Sequence, residues 1–221
     1  AVLHVFVNLY EKGRIYRGLR MTQWDPEALT VLSNEEVIYK EENARLFHLK
    51  YYRTDNPDLF ITIATQRPET IMADVAIAVH PQDERYQSFI GKSVFVPLIN
   101  REIPIIADAY VDIEFGTGAL KITPAHDQND YEIGKKHKLP VIDILTPNGK
   151  LNEKATILVG QDRFEARKNI KKLLEEAGTL EKIEDYRTSI GHSERTDAVV
   201  EPRLSLQWYV DMKPFAKTAL E

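Results

Sequence analysis

Apolar residues near the start of the chain fall at Val2, Val5, Phe6 and Leu9, a helical spacing that predicts a helix closed near Gly13. The turn-rich stretch TQWDPEALT follows. From there the period shortens. EVIYK, LFHLKYY and LFITIAT read as strands, with NPD turning the chain before the last of them. VAIAV (75–79), KSVFVPLI (92–99) and IPIIADAYV (103–111) continue in Val and Ile, and NREIP around Asn100 reads as a hairpin turn. NDYEIGKKHKL predicts a short helix, VIDIL (141–145) another strand, and PNGK a turn. DRFEARKNIKKLLEEAG is the clearest helix, with Phe164, Ile170, Leu173 and Leu174 as its apolar face and Gly178 as its stop. Residues 186–205 read as a connector leaving the domain, and LQWYVDMKPFAKTALE, ending at Glu221, reads as helical again. Many short strands with few helices predict an α+β domain. Its core would be β-barrel-like, a closed or nearly closed sheet with helices around it.

Composition narrows the function classes. The 221 residues are 43% hydrophobic, enough to bury a core within one large domain or one domain with appendages. No apolar run approaches the roughly 20 residues that span a bilayer. His4, Asn8 and Glu11 interrupt the apolar start, so it does not read as a signal peptide. There are no cysteines, which rules out disulfides and thiolate metal sites and agrees with a cytoplasmic setting. A formal net charge of −5 argues against a module built to grip a nucleic-acid backbone, while leaving room for a site that takes one end of an RNA. Both ends look cut, so the expectation is a piece of a longer protein.

The candidate chemistry gathers in FGTGALKITPAHDQND, residues 115–130. Gly116-Thr117-Gly118 lacks the spacing of a phosphate loop. His126, Asp127 and Asp130 are too close in sequence to converge readily on an ion, and no second His-Asp pair accompanies them, so no metal is expected. Asp127 suits the N-cap, and Asp130 the first turn, of the helix that follows. Lys121 and Thr123, alternating with Leu120 and Ile122, share one face of a strand. If that face meets the helix start, a lysine, a hydroxyl and two carboxylates surround a small space suited to a compact, polar ligand bearing an ammonium. Earlier, in ATQRPETIMADVAIAVHP, Pro68 bends the chain after a strand and sets Thr70 and Asp74 on a short turn.

RPET with AIAVHP, then FGTGALKITPAHDQNDYEIG, then GHSERT with VEPRLSLQWYV, resemble the valyl-tRNA synthetase family in its connective-peptide editing domain. LYEKGRIYRGLRMTQWDPEALT resembles the segment leading into that insertion, so the resemblance covers nearly the whole chain. The HIGH and KMSKS motifs of the synthetic core are absent. KITPAHD and RPET with GHSERT fit the valyl pattern better than the isoleucyl or leucyl one. On this resemblance residues 1–34 link from the catalytic fold, 35–185 form the editing domain and 186–221 lead back.

The resemblance implies hydrolysis of threonine wrongly esterified to valine tRNA. An apolar pocket rejects an isostere that adds a hydroxyl by only about a hundredfold, the known example being these very enzymes. A second pocket built to hydrogen-bond that hydroxyl disfavours valine instead, because its own polar groups would be left buried and unpaired. In family terms Asp130 holds the α-ammonium, and Asp127, Lys121 and Thr123 line the threonine pocket. Arg67, Thr70 and Phe115 meet the aminoacyl group or the terminal adenosine. Two departures are Gln66, where the family often has a second threonine, and Ala73 in place of a frequent glycine.

No nucleophile paired with a base is visible; Ser93 and the histidines lack convincing partners, and His126 reads as structural. The expected chemistry is attack by a water held by Asp127 and its neighbours, with Lys121 and Thr70 assisting and no cofactor. The rival expectation is a module that docks the tRNA 3′ end without turnover. Arg163, Arg167, Lys168, Lys171 and Lys172 would give either one a basic helix face, although a solvated face is the plainer account. The remaining partner expected is the parent catalytic core in cis, and no membrane.

Overall fold

A computed structural model describes residues 1–220; Glu221, the last residue of the expected terminal helix, lies outside the described residues. The chain runs through helix α1 (Val2–Glu11) and strands β1 (Ile15–Asp25), β2 (Thr30–Leu32), β3 (Val37–Tyr52), β4 (Phe60–Thr65), β5 (Ala76–Val79), β6 (Ser93–Phe95), β7 (Glu102–Ala107) and β8 (Ala119–Ile122). Helices α2 (Gln128–His137) and α3 (Arg163–Glu176), strands β9 (Leu180–Ser193) and β10 (Glu201–Val210), and helix α4 (Lys213–Leu220) complete it.

Among the described residues the strands form three sheets, ordered β10-β1-β2, β4-β3-β9 and β6-β7-β5-β8. None closes on itself, so the expected barrel is replaced by a mixed arrangement of open sheets with few helices. Ala76–Val79 is buried at every position, lying between parallel β7 and antiparallel β8. A strand covered on both faces has no polar side to show, which explains its unbroken apolar run. Its Ile77 and Val79 join Leu49, Tyr51, Ile61, Ile63, Ile71, Ile105, Ile170 and Leu174 in the main core.

Other expectations shift in detail. Apart from Glu36, EVIYK and LFHLKYY belong to one strand, β3. The start of LQWYVDMKPFAKTALE is strand β10, paired with β1 from Trp24–Glu201 to Ile15–Val210, and only Lys213–Leu220 is helical. Leu180–Ser193 is one strand that crosses residues 185 and 186 without a break. VIDIL is no regular strand: Ile144 N donates to the His126 ring, and Leu145 forms a single bridge to Leu151. On α3 the buried stripe is Arg163, Ala166, Ile170 and Leu174, with Phe164 turned to solvent. Steps of three and four residues keep those four side chains in line.

Candidate functional site

An open cleft of about 550 Å³ lies where the end of β4, the 3-10 turn Pro68–Ala73, β8 and the start of α2 meet. Arg67, Thr70, Phe115, Lys121, Thr123, Asp127 and Asp130 all line it, as does Gln66. The structure thus brings together every site residue expected from the sequence.

Local chemistry sets each wall. Thr65 ends β4, and its Oγ1 accepts from Arg67 N at 3.0 Å. Pro68 then opens the 3-10 turn, where its fixed φ suits a first helical position and its missing N–H goes unneeded. Thr70 Oγ1 donates back to Arg67 O at 2.9 Å. On β8 and just beyond it, Ile122 is fully buried, so Lys121 and Thr123 face the other way, into the cleft.

Beneath the cleft stands a residue that the sequence places on a turn. Asp74 is wholly buried. Its Oδ1 accepts from Thr123 Oγ1 at 2.7 Å and from Lys121 Nζ at 3.1 Å, and its Oδ2 accepts from the Tyr51 hydroxyl at 2.6 Å. Burial pushes the Asp74 carboxyl upward, opposed chiefly by Lys121. Lys121 Nζ also donates to Thr70 Oγ1 at 3.1 Å and Thr123 Oγ1 at 2.5 Å, which engages all three of its protons. Both hydroxyl protons are committed too, that of Thr70 to Arg67 O and that of Thr123 to Asp74. The two hydroxyls therefore present lone pairs. A hint existed in the sequence: a carboxylate inside the apolar run IMADVAIAV can be buried only with partners.

Asp127 is the N-cap of α2, its Oδ1 accepting from Asn129 N at 2.8 Å and Asp130 N at 3.0 Å. Asp127 Oδ2 accepts no hydrogen bond from the described residues. Asp130, in the first helical turn, is buried, and its Oδ2 accepts from Thr123 N at 2.8 Å. Burial, with the charge of Asp127 added, pushes its carboxyl up to about 7. His126 is buried, and its Nε2 accepts from Ile144 N at 3.1 Å. Burial and the nearby Arg67 and Lys121 charges hold its imidazole well below the usual range, in keeping with a neutral structural ring.

Arg67 enters from the opposite wall. Its Nη1 donates to His126 O at 3.2 Å, and its Nη2 to Glu201 Oε2 at 2.5 Å. Glu69, wholly buried, accepts from Arg167 through both oxygens, at 2.8 and 2.6 Å. Arg163 Nε lies 2.8 Å from Glu201 Oε1. The expected basic face of α3 is therefore broken: Arg163 and Arg167 turn inward to carboxylates, while Lys171 and Lys172 pair with Glu175 and Glu176. Phe115 stands exposed on the lip, between the cleft and a neighbouring hollow of about 260 Å³ lined by Tyr110, Val111 and Leu120. Among the described residues no three His, Asp or Glu side chains gather to hold a metal ion. No helix there is long and apolar enough to cross a membrane.

An acceptor-rich floor, a buried carboxylate and an aromatic lip suit a compact ligand that carries a hydroxyl and an ammonium beside a planar group. Residues 1–221 match the family model described as tRNA synthetases class I (I, L, M and V). Over 221 residues the chain is 55% identical to a valine–tRNA ligase of Porphyromonas gingivalis, 58% to one of Halalkalibacterium halodurans and 54% to one of Thermotoga maritima. Each match covers 100% of this chain and 25% of the relative, so the chain spans about a quarter of the length of the curated relatives it matches. A solved structure, the ternary complex of Agrobacterium radiobacter K84 agnB2 LeuRS-tRNA-LeuAMS, is similar with a TM-score of 0.52 and 19% identity. It covers 84% of this chain and 31% of that one, a likeness of fold alone.

Proposed function

The chain belongs to the class I tRNA synthetases (I, L, M and V), and from that premise we propose that it is the editing part of a valine–tRNA ligase. Its reaction is hydrolysis of threonine wrongly esterified to valine tRNA. The observation that carries the reading is the closed hydrogen-bond set of Lys121, Asp74, Thr70 and Thr123 at the cleft floor. With their protons committed, the Thr70 and Thr123 oxygens accept from a ligand hydroxyl, and a valine methyl offers them nothing.

Asp130 pairs with the α-ammonium of the aminoacyl ester. Asp127, one oxygen spent on the helix amides, holds the attacking water with the other. Water adds to the ester carbonyl, and the bond to the terminal ribose oxygen breaks. That oxygen takes up a proton, with the neighbouring ribose hydroxyl assisting, and threonine and tRNA part. Lys121 lends positive charge to the developing oxyanion, and Thr70, by accepting from the ligand hydroxyl, helps to hold the ester in place. Phe115 offers its ring to the terminal adenine beside the apolar hollow, and Arg67 its free edge to ribose or phosphate. An activated ester needs no cofactor for this.

The partners are the aminoacylated end of valine tRNA and, in cis, the rest of the ligase. Exposed Val2, Leu3, Leu19, Leu206, Trp208 and Met212 support a cover over α1 and the β1–β10 ribbon. A cytoplasmic setting goes with the reading. The test is hydrolysis of preformed threonyl-tRNA for valine beside valyl-tRNA, with Asp130→Ala as control. Selective loss of threonine, abolished by the substitution, is expected. Binding of the tRNA end with no hydrolysis above the spontaneous rate would favour a docking module instead.

A further inference from the structure

We propose that Glu201 is a positioning residue for Arg67, and that through it the placement of the β1–β10 ribbon reaches the cleft. The inference rests on the editing function proposed above, in which Arg67 meets the aminoacylated end.

Glu201 stands at the first position of β10, opposite Trp24 of β1. Its carboxylate meets an arginine on each side. Oε1 lies 2.8 Å from Arg163 Nε, and Arg163 Nη2 donates at 2.9 Å to Val199 O, two residues before Glu201 itself. Oε2 is thereby left to accept from Arg67 Nη2 at 2.5 Å. Glu69 competes poorly for Arg67: its nearer oxygen is 3.6 Å from Arg67 Nε, and both its oxygens already accept from Arg167.

Three arginines thus share two carboxylates, and Arg67 is the arginine of the three that lines the cleft. Across the cleft its charge also meets the carboxylate of Asp127. A pair such as Arg67 with Glu201 is a poor device for stability, because stripping two charges of water costs about what their attraction returns. For aiming a planar guanidinium it is a good one, since the fork of donors accepts a carboxylate in few geometries. A small shift of β10 would turn Arg67 with it.

The experiment is a double-mutant cycle with E201Q, R67Q and the pair, read as KM and kcat for threonyl-tRNA hydrolysis and as thermal midpoint. E201Q is expected to lower kcat/KM about tenfold to a hundredfold. In the R67Q background it should lower it no further. A loss that multiplies fully onto R67Q, or unchanged kinetics in E201Q, would overturn the proposal. A second readout needs no substrate: the Arg67 Nε–Hε resonance should move in E201Q. If it moves while the wild-type chain hydrolyses nothing, the editing function fails and the positioning role stands. If it stays in place, the positioning role is wrong. Should E201Q not fold, E201D withdraws the carboxylate by one methylene and enters the same cycle.

Discussion

Lys121 Nζ stands 3.1 Å from Asp74 Oδ1, and β5, which begins two residues after Asp74, pairs with the strand that carries Lys121, Ile77 opposite Lys121. The carboxylate touches no solvent, and the lysine is 11% exposed. Asp74→Asn keeps the shape while removing the anion that fixes the ammonium. Threonyl-ester hydrolysis should fall about tenfold or more, because charge-assisted hydrogen bonds are roughly twice as strong as neutral ones. Asp74→Ala strands Lys121, Thr123 and Tyr51 together and should cost about 3–5 kcal/mol in urea unfolding, as breaking a buried pair does.

Asp130 supplies the pH dependence. Its carboxyl sits near 7 in the fold, against an ordinary value of 3.8. Between those values the native chain holds a proton that the unfolded chain has lost. The stability this contributes is therefore full below about pH 4 and is lost as pH rises toward 7. Ammonium binding needs the ionised form, so kcat/KM should drop about tenfold per pH unit below pH 7. Asp130→Asn should flatten that limb of the profile and gain stability relative to wild type above pH 7. A profile unchanged by the substitution would remove Asp130 from the binding step.

Thr123→Val tests selectivity. The shape is kept, but the hydroxyl between Lys121 and Asp74 is gone. Hydrolysis of the threonyl ester should fall relative to the valyl ester by roughly 1–3 kcal/mol, about tenfold to a hundredfold. Competition between the two charged tRNAs measures it directly.

Phe115 is 65% exposed, so Phe115→Ala should leave the thermal midpoint nearly unchanged, within about 0.5 kcal/mol. KM for the charged tRNA should nonetheless rise about fivefold or more, the loss expected when one base loses its stacking face. An unchanged KM would place the terminal base elsewhere.

Arg167 and Glu69 form the buried bidentate pair under the turn that carries Thr70. Arg167→Met alone should destabilise by about 3 kcal/mol, since it leaves a wholly buried carboxylate with only the more distant Arg67, 3.6 Å away, as its cation. Adding Glu69→Leu should restore most of that loss. Denaturant midpoints of the two variants decide the matter.

The cleft was more legible in the sequence than the fold around it, for physical reasons. Lys121, Thr123, Asp127 and Asp130 lie close in sequence on one strand end and one helix start, where alternation and capping are local rules. The β1–β10 ladder was invisible because its partners lie at opposite ends of the chain and both strands show much of each face to solvent. Without a buried side, alternation leaves no trace, and LQWYV reads as the start of a helix. The barrel failed for a related reason: strand-like runs announce strands but not which edges join. Asp74 and Glu201 were missed because their partners arrive from distant segments.

The two long ladders are nested, Ile15 against Val210 outside and Val37 against Ser193 within. That nesting puts a clock on the molecule. Contacts so far apart in sequence close slowly, because the entropy of the long loop is lost before any pairing repays it. While the chain is being made, β3 has no partner on its β9 side until Leu180–Ser193 has emerged, and Arg67 has no Glu201 until later still. Hydrolytic competence on this scheme waits until Glu201 has left the ribosome and found Arg67.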